Sequence, residues 1–462
     1  MANIRAVRNP LTDTDSYKFS HFLQYPPEIT NVSSYIEARS GDDWIVFFGL
    51  QMWLKDYLSK PIMMDDVADA ELLMKQHGEP FNTRGFTSLI GKPWPVKIQA
   101  VAEGTPVAPG NVLVQLSNTD PELPWVTSFL ETSLLRAIWY PSTVATNSRK
   151  IKRLIKRYLD DTGNPDLFLL SFKLHDFGFR GVSSRESGCI GGLAHLVNFM
   201  GTDTVGALEY GRRFYRDPCA GFSIPAAEHS TIMAWTQTGE VNAYDNMIKQ
   251  FSKKGSIYAV VSDTYDIFAA CDKLWGVILR DKIVAAGGTL VIRPDSGDPV
   301  DTTLKVLNIL GNRFGTKTND KGFKVLPDYL RIIWGDGVNY SSISEILYGL
   351  KDAGWSADNI AFGMGGALLQ DVTRDDFSFA MKANAVSVDG GAKWMPISKN
   401  PVTSSGKKSK AGRLGLIREE EWKTVPEASI EDPRSNYLKT VWEDGRLLIE
   451  TTLKEVRERA AV

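Results

Sequence analysis

From about residue 170 to residue 366 one pattern recurs. An apolar run ends in polar or glycine residues, a helix-like stretch follows, and the sequence starts again. The run ends read Leu174-His175-Asp176-Phe177-Gly178, Gly201-Thr202-Asp203-Thr204, Ser223 to His229, and Val260-Val261-Ser262-Asp263. They continue as Ile292-Arg293-Pro294-Asp295-Ser296-Gly297, Ile333-Trp334-Gly335-Asp336-Gly337 and Phe362-Gly363-Met364-Gly365-Gly366. Between them lie apolar stripes at helical spacing, such as Ile343, Ile346, Leu347 and Leu350, or Val300, Leu304 and Leu307. Strands alternating with helices imply parallel βαβ units. About seven such units, each placing polar residues at its strand end, predict an irregular (β/α) barrel whose site is built from the strand C-terminal ends. A doubly wound sheet is the alternative, but it places its ligand at one switch point.

The flanking sequence differs. Val96-Lys97-Ile98-Gln99 and Val112 to Leu116 read as strands, with Pro106, Pro109 and Gly110 marking the turn between them. Trp125 to Tyr140 reads as a helix ended by Pro141, and Asn147 or Ser148 as the cap of the next one. After Gly390 the barrel rhythm stops, and Leu438 to Thr451 reads as a β-hairpin turning at Asp444-Gly445. The expected organisation is therefore a discontinuous α/β (α+β) domain of residues 1–145 plus 390–462, and a barrel domain of residues 146–389.

Composition narrows the function classes. A net charge of −2, with 43% hydrophobic and 23% charged residues, suits a soluble globular chain and suggests no polyanion partner. The basic run Lys407-Lys408-Ser409-Lys410 with Arg413 reads as a solvated loop. Cys189, Cys219 and Cys271 form neither a metal pattern nor a disulfide framework, so a cytoplasmic location is expected. The first residues have no apolar signal core, and no apolar run is long enough to span a bilayer.

The strand-end set mixes Arg180, Arg293 and Arg374 with Asp203, Asp263, Asp295 and Asp336, one histidine and several glycines. Arginine forks bind phosphate, glycines let backbone N–H groups approach it, and aspartates hold ribose hydroxyls or a phosphate-bound Mg²⁺. Together they point to a phosphorylated sugar. Taken singly, each has a plainer reading: an aspartate as a helix cap, Arg180 or Arg374 as a surface ion pair, His229 as a helix-start histidine bonded to Glu228. His175 is a candidate ligand-orienting group, His195 a helix-face residue, and His21 and His77 structural or exposed.

At these residues the chain resembles the nicotinamide phosphoribosyltransferase family of type II phosphoribosyltransferases. The resemblance runs from Asp15-Ser16-Tyr17-Lys18 and Gln24-Tyr25-Pro26-Pro27 through Trp139-Tyr140-Pro141 and Lys173-Leu174-His175-Asp176-Phe177-Gly178. Gly201-Thr202-Asp203-Thr204, Pro225-Ala226-Ala227-Glu228-His229-Ser230 and Ile292-Arg293-Pro294-Asp295-Ser296-Gly297 extend it. The other class of phosphoribosyltransferases, with a paired-acid loop after an apolar strand, has no counterpart at Asp160-Asp161 or Asp375-Asp376.

The resemblance implies transfer of phosphoribosyl from phosphoribosyl pyrophosphate to nicotinamide, with Mg²⁺, stimulation by ATP through a phosphohistidine, and a homodimer with shared active sites. It implies that the pyridine ring stacks between Phe177 and a partner subunit's tyrosine at position 17, with Arg293 beside it. Asp203 would accept the carboxamide N–H. Arg180, Arg293 and Arg374 would hold phosphate and pyrophosphate. Asp295 and Asp336, with the backbone of Gly335, Gly365 and Gly366, would hold ribose and 5′-phosphate. His229 would be the phosphorylated histidine and Asp263 its orienting carboxylate; Mg²⁺ would be held mainly through the pyrophosphate, with its protein ligands unknown. The chain departs from the family pattern at Ala259, Met364 and Ala367, and 392–401 matches animal members poorly. The rival readings are a nicotinate phosphoribosyltransferase and a non-catalytic barrel acting as a binding module; a metal-dependent hydrolase lacks the ligand spacing.

Overall fold

The computed structural model describes residues 8–401, 403 and 408–461. Lys407 of the basic run and the first seven residues lie outside them. The chain forms two compact units, Met1–Thr146 with Arg213–Asp217 and Thr373–Val462, and Asn147–Arg212 with Pro218–Val372. The second boundary falls at Thr373, not at Gly390. The reason is the strand Phe379–Ser387, which pairs antiparallel with Asn31–Ala38 in the first unit. Nothing in its local pattern distinguishes it from one more barrel strand; only its pairing partner does.

The first unit is built on a seven-stranded sheet. Its order is Met395–Pro396, Phe379–Ser387, Asn31–Ala38, Val112–Asn118, Val96–Ala100, Lys439–Glu443 and Arg446–Leu447, every pair antiparallel. The hairpin turn uses Asp444 and Gly445 at φ 45 and 85, the left-handed pair that matches strand twist. The core is aromatic-rich, with Phe19, Phe86, Trp94, Trp125 and Phe129 in mutual contact. Buried Glu103 ties in the short Arg213–Asp217 segment. Its carboxylate accepts from the backbone of Gly49 and Gln51 and from the Tyr215 hydroxyl at 2.8 Å. Burial raises its pKa, against these donors.

One helix, Glu131–Thr162, carries the chain between the units. Pro141 does not end it, and Asn147 and Ser148 are not caps but interior residues. Proline removes a single intrahelical bond. Here the turns around it are held by neighbours: Phe48 N–H donates to Ser142 Oγ and Val46 N–H to Thr146 Oγ1. Tertiary contacts override the local stop signal.

The second unit is a parallel barrel. The sheet order is Gly201–Thr202, Leu174–Asp176, Ile360–Met364, Leu330–Trp334, Thr289–Arg293 and Ile257–Val261, all parallel. The stretch at Ser223-Ile224 is not a regular strand. It is an interrupted segment that bridges both free edges: Phe222 pairs with Gly201, and Ala226 with Ala259. Thr202 N–H donates to Phe222 O, and Ala259 N–H to Pro225 O. Pro225 cannot donate to a ladder, which is why this seam stays irregular. The outer helices bury the stripes read from sequence, with Ile343, Ile346, Leu347 and Leu350 all inside. In Pro299–Phe314 the buried face is Thr302, Thr303, Val306, Leu307 and Leu310, so Val300 and Leu304 flank it instead. Each fully buried Leu or Ile contributes about 1.5–3 kcal/mol.

Candidate active site

The strand C-terminal ends of the barrel bring five of the sequence candidates into direct contact. His229 opens a short helix, His229–Met233, just after the interrupted segment. Its Nε2 lies 3.0 Å from Asp263 Oδ1, beyond the end of Ile257–Val261. Glu228 is not its partner; that carboxylate accepts from Ser230 instead. The His229 side chain is 41% exposed and that of Asp263 only 5%. Asp263 Oδ2 accepts from Asp295 N–H at 3.1 Å and Ser296 Oγ at 2.6 Å. Asp295 in turn takes a two-pronged bond from Arg293, Nε to Oδ1 at 3.1 Å and Nη2 to Oδ2 at 2.7 Å.

The Arg293 guanidinium sits 5.6 Å from the centroid of the Phe177 ring. Phe177 is placed by its own N–H, which donates to Met364 O, and by two glycines. A Cβ on Gly363 would lie 2.0 Å from the Phe177 ring, so only glycine admits the ring there. A Cβ on Gly335 would meet Asp295 at 3.2 Å, Arg293 at 3.4 Å and Phe177 at 3.5 Å.

Asp203 follows Gly201–Thr202, whose register pairs His175 with Gly201 and Asp176 with Thr202. Phe177 and Asp203 are thus the next residues on adjacent strand ends, and Asp203 N–H donates to Asp176 O. Ser223 Oγ donates to Asp203 Oδ1 at 2.5 Å, and among the described residues nothing donates to Oδ2. Beneath lies Asp176, whose carboxyl is pushed up to about 6 by burial, against the donors Gly178 N–H and Thr202 Oγ1. His175 is half-buried, and desolvation lowers its pKa while Asp203 opposes that shift. His195 is an interior group, with Nδ1 3.1 Å from Ser148 Oγ and Nε2 3.3 Å from Gly201 O, and burial drives its pKa to about 3.

Gly365 and Gly366 start a short turn of helix. The segment carrying Arg180 runs against them: a Cβ on Gly178 would lie 2.9 Å from Gly365 O, and one on Gly181 3.6 Å from Gly366 Cα. Arg180 and Asp336 are exposed. Arg374 does not belong to a barrel strand end. It lies in the first unit, ion-paired with Asp375 at 3.2 Å. Tyr17 is also in the first unit, on the turn Ser16–Leu23 and 52% exposed. His21 stands near Ser128 at 2.9 Å, and His77 is exposed.

Sequence reading passed over Ser223 and Ser296, whose hydroxyls donate to the candidate carboxylates Asp203 and Asp263. Both sit inside stretches singled out above, but no spacing rule marks them. It also missed a basic cluster in the first unit. Lys382 has a lowered pKa, first through burial, with the cations Arg39, Lys399 and Lys18 adding to it and Glu131 opposing.

Among the described residues no group of three or more His, Cys, Asp or Glu side chains is arranged to hold a metal ion, and no helix is long and apolar enough to cross a membrane. The three cysteines are free.

A closed α/β barrel with arginines, aspartates and glycines gathered at its strand ends is the frame of a phosphoribosyl-transferring enzyme. Residues 172–446 match the nicotinate phosphoribosyltransferase (NAPRTase) family, and residues 9–98 the nicotinamide phosphoribosyltransferase N-terminal domain. The protein named nicotinamide phosphoribosyltransferase in Xanthomonas campestris pv. campestris (strain 8004) is 49% identical over 98% of both chains. The protein of that name in Acinetobacter baylyi is 32% identical, over 98% of this chain and 97% of its own. The crystal structure of nicotinate-nucleotide pyrophosphorylase from Pyrococcus furiosus superposes with a TM-score of 0.66 at 17% identity, over 100% of this chain and 97% of that one. Human nicotinic acid phosphoribosyltransferase gives 0.59 at 17%, over 97% and 93%. The two structures speak for the fold alone. The chain belongs to the nicotinate and nicotinamide phosphoribosyltransferase family and is an enzyme of the pentosyltransferase class.

Proposed function

We propose that this protein transfers the phosphoribosyl group of phosphoribosyl pyrophosphate to nicotinamide, giving nicotinamide mononucleotide and pyrophosphate in NAD salvage. The observation that carries the choice of base is Asp203, a strand-end carboxylate beside Phe177 with one oxygen held by Ser223 and the other without a donor among the described residues. Such a carboxylate oxygen accepts an amide N–H and repels a second carboxylate. Two unit charges about 4 Å apart cost about 4 kcal/mol at an effective dielectric near 20. A fraction of that suffices to select amide over acid. The names of the two bacterial relatives support the same choice.

In this reading the pyridine ring stacks on Phe177 and its ring nitrogen attacks C1′. The C1′–O bond to pyrophosphate breaks and the pyrophosphate leaves with the electron pair. Positive charge grows on the ribose and negative charge on the leaving group. Arg293 and Arg180 offset the latter; Asp295, Asp336 and the backbone of Gly335, Gly365 and Gly366 hold the ribose and 5′-phosphate. Mg²⁺ suits the donor set, because it binds through substrate phosphates and one or two carboxylates and needs no protein cage. Asp336 would be its protein ligand, since its side chain has no partner among the described residues. When bound, the ion neutralises charge on the pyrophosphate.

ATP is a second substrate in this reading, and His229 the phosphoryl acceptor. With its proton on Nε2 and donated to Asp263, the imidazole presents a lone pair on Nδ1. That lone pair attacks the γ-phosphorus, the bond to the β-phosphate oxygen breaks, and ADP leaves with the electron pair. Asp263 fixes the tautomer, as a buried carboxylate does for a catalytic histidine. The same reading makes the enzyme a homodimer in which Tyr17 completes the partner's site; its exposed ring suits that role.

The test is mononucleotide formation from nicotinamide and from nicotinate at equal concentration, with Mg²⁺, with and without ATP, for native protein and Asp203→Asn. Preference for nicotinamide that loosens in the variant is the expected result. Preference of the native protein for nicotinate overturns the reading.

A further inference from the structure

The histidine and the base-side ring are joined by an unbroken set of contacts inside the barrel. His229 Nε2 meets Asp263 Oδ1; Asp263 Oδ2 holds Asp295 N–H and Ser296 Oγ; Asp295 grips Arg293 with both oxygens; Arg293 lies over Phe177. Asp263 is nearly closed to solvent, so water cannot take over either oxygen. Gly335 lies close to three members at once: a carbon added there would stand 3.2 Å from Asp295, 3.4 Å from Arg293 and 3.5 Å from Phe177. Such a packed set shifts between discrete arrangements and does not deform continuously.

We propose that Ser296, with the backbone N–H of Asp295, is the positioning element that couples the state of His229 to the base pocket. This rests on His229 being the phosphoryl acceptor. A phosphoryl group on Nδ1 confines the imidazole proton to Nε2. The bond to Asp263 Oδ1, which already favours that tautomer in the free imidazole, then becomes obligatory, because no second tautomer is left. Asp263, held at Oδ1, presents Oδ2 in one orientation to the Asp295-Ser296 turn. That turn aims the carboxylate that fixes the Arg293 fork over Phe177. Ser296 touches neither base nor phosphoryl group; it acts through Asp263. Coupling of this kind is reciprocal, so nicotinamide also raises the occupancy of phosphohistidine.

The experiment compares Ser296→Ala and the near-isosteric pair Ser296→Thr and Ser296→Val with native enzyme. The KM for nicotinamide is measured with and without ATP, and phosphohistidine is measured from γ-labelled ATP. In native enzyme ATP lowers the KM. In Ser296→Ala and Ser296→Val the ratio of the two KM values falls by about fivefold, the lower end of typical coupling, while His229 is still labelled. Ser296→Thr keeps the hydroxyl and restores the ratio. If Ser296→Ala fails to fold, the Thr and Val pair answers the same question. Labelled Ser296→Val with a native ratio overturns the proposal and leaves the function standing. Native enzyme with neither label nor ATP effect overturns the reading of His229, and this proposal with it.

Discussion

The two ends of the barrel treat polar groups in opposite ways. At the N-terminal end, half-buried Lys173 stands just before the strand Leu174–Asp176. It donates to the carbonyls of Ala357, Asp358 and Ile360 at 3.2, 3.0 and 2.9 Å. Asn359 and Ser356 close the same region with further bonds. Burial lowers the Lys173 pKa to about 8, against the pull of Asp358. At the C-terminal end, His229, Asp203 and Asp336 each keep an unsatisfied or exposed side. The bottom spends its hydrogen bonds on itself; the top keeps some for a ligand. That is the division expected of a barrel enzyme, with stability at one end and chemistry at the other.

The largest effect should come from the top. Arg293→Ala removes the fork beside Phe177 and is expected to lower kcat/KM by about 10²–10³, or about 3–4 kcal/mol, with the thermal midpoint little changed. Steady-state kinetics alongside a melting curve decide this; a matching fall in stability would make Arg293 a structural residue instead. The converse comes from the bottom. Lys173→Met leaves buried carbonyls short of donors and should cost about 1–3 kcal/mol of stability in denaturant titration, with kcat kept. Loss of kcat without loss of stability would erase the distinction between the ends.

Asp203→Asn sharpens the comparison within the top. It is expected to shift the ratio of nicotinamide to nicotinate efficiency toward nicotinate by about tenfold, or about 1.4 kcal/mol. Competition between the two bases measures it.

The smallest effect is a pH slope from the interior. His195 has a folded pKa near 3, below its unfolded value of 6.5. Between these the unfolded chain binds the extra proton, so this contribution is present above about pH 6.5 and is lost as pH falls. Asp176 works the other way. Raised to about 6, it holds its proton in the folded state, so its contribution is lost as pH rises from about 4 through 6. Melting curves from about pH 7 to about pH 4 should show His195→Gln with a flatter acid limb than native protein. An unchanged limb would mean that His195 is not the group responsible.

Much of this was legible in the chain. The strand ends at Asp176, Thr202, Val261, Arg293, Trp334 and Met364 were readable because a buried parallel strand is mostly an apolar run, and its polar residues gather where it ends. His229, Asp263, Arg293, Asp295 and Phe177 could be nominated for the same reason. Less visible was which oxygen meets which nitrogen. Glu228, the sequence neighbour, was the plain partner for His229; the structure supplies Asp263, brought from the next strand. Pro141 reads as a stop until Phe48 and Val46 are seen bonding to the helix around it.

What the sequence by itself determined, then, is the class of fold, the family and the set of polar residues at the barrel mouth. Those follow from patterns carried along one chain, periodicity and ordered motifs. The tertiary structure alone decided that Phe379–Ser387 leaves the barrel for the other sheet, and that Ser296 and Ser223 donate to Asp263 and Asp203. It also decided that an interrupted segment at Pro225 closes the ring. Each depends on a hydrogen bond between residues far apart in the chain. Such a bond leaves no local signature, because a hydroxyl or a backbone N–H looks the same in sequence whatever it will meet.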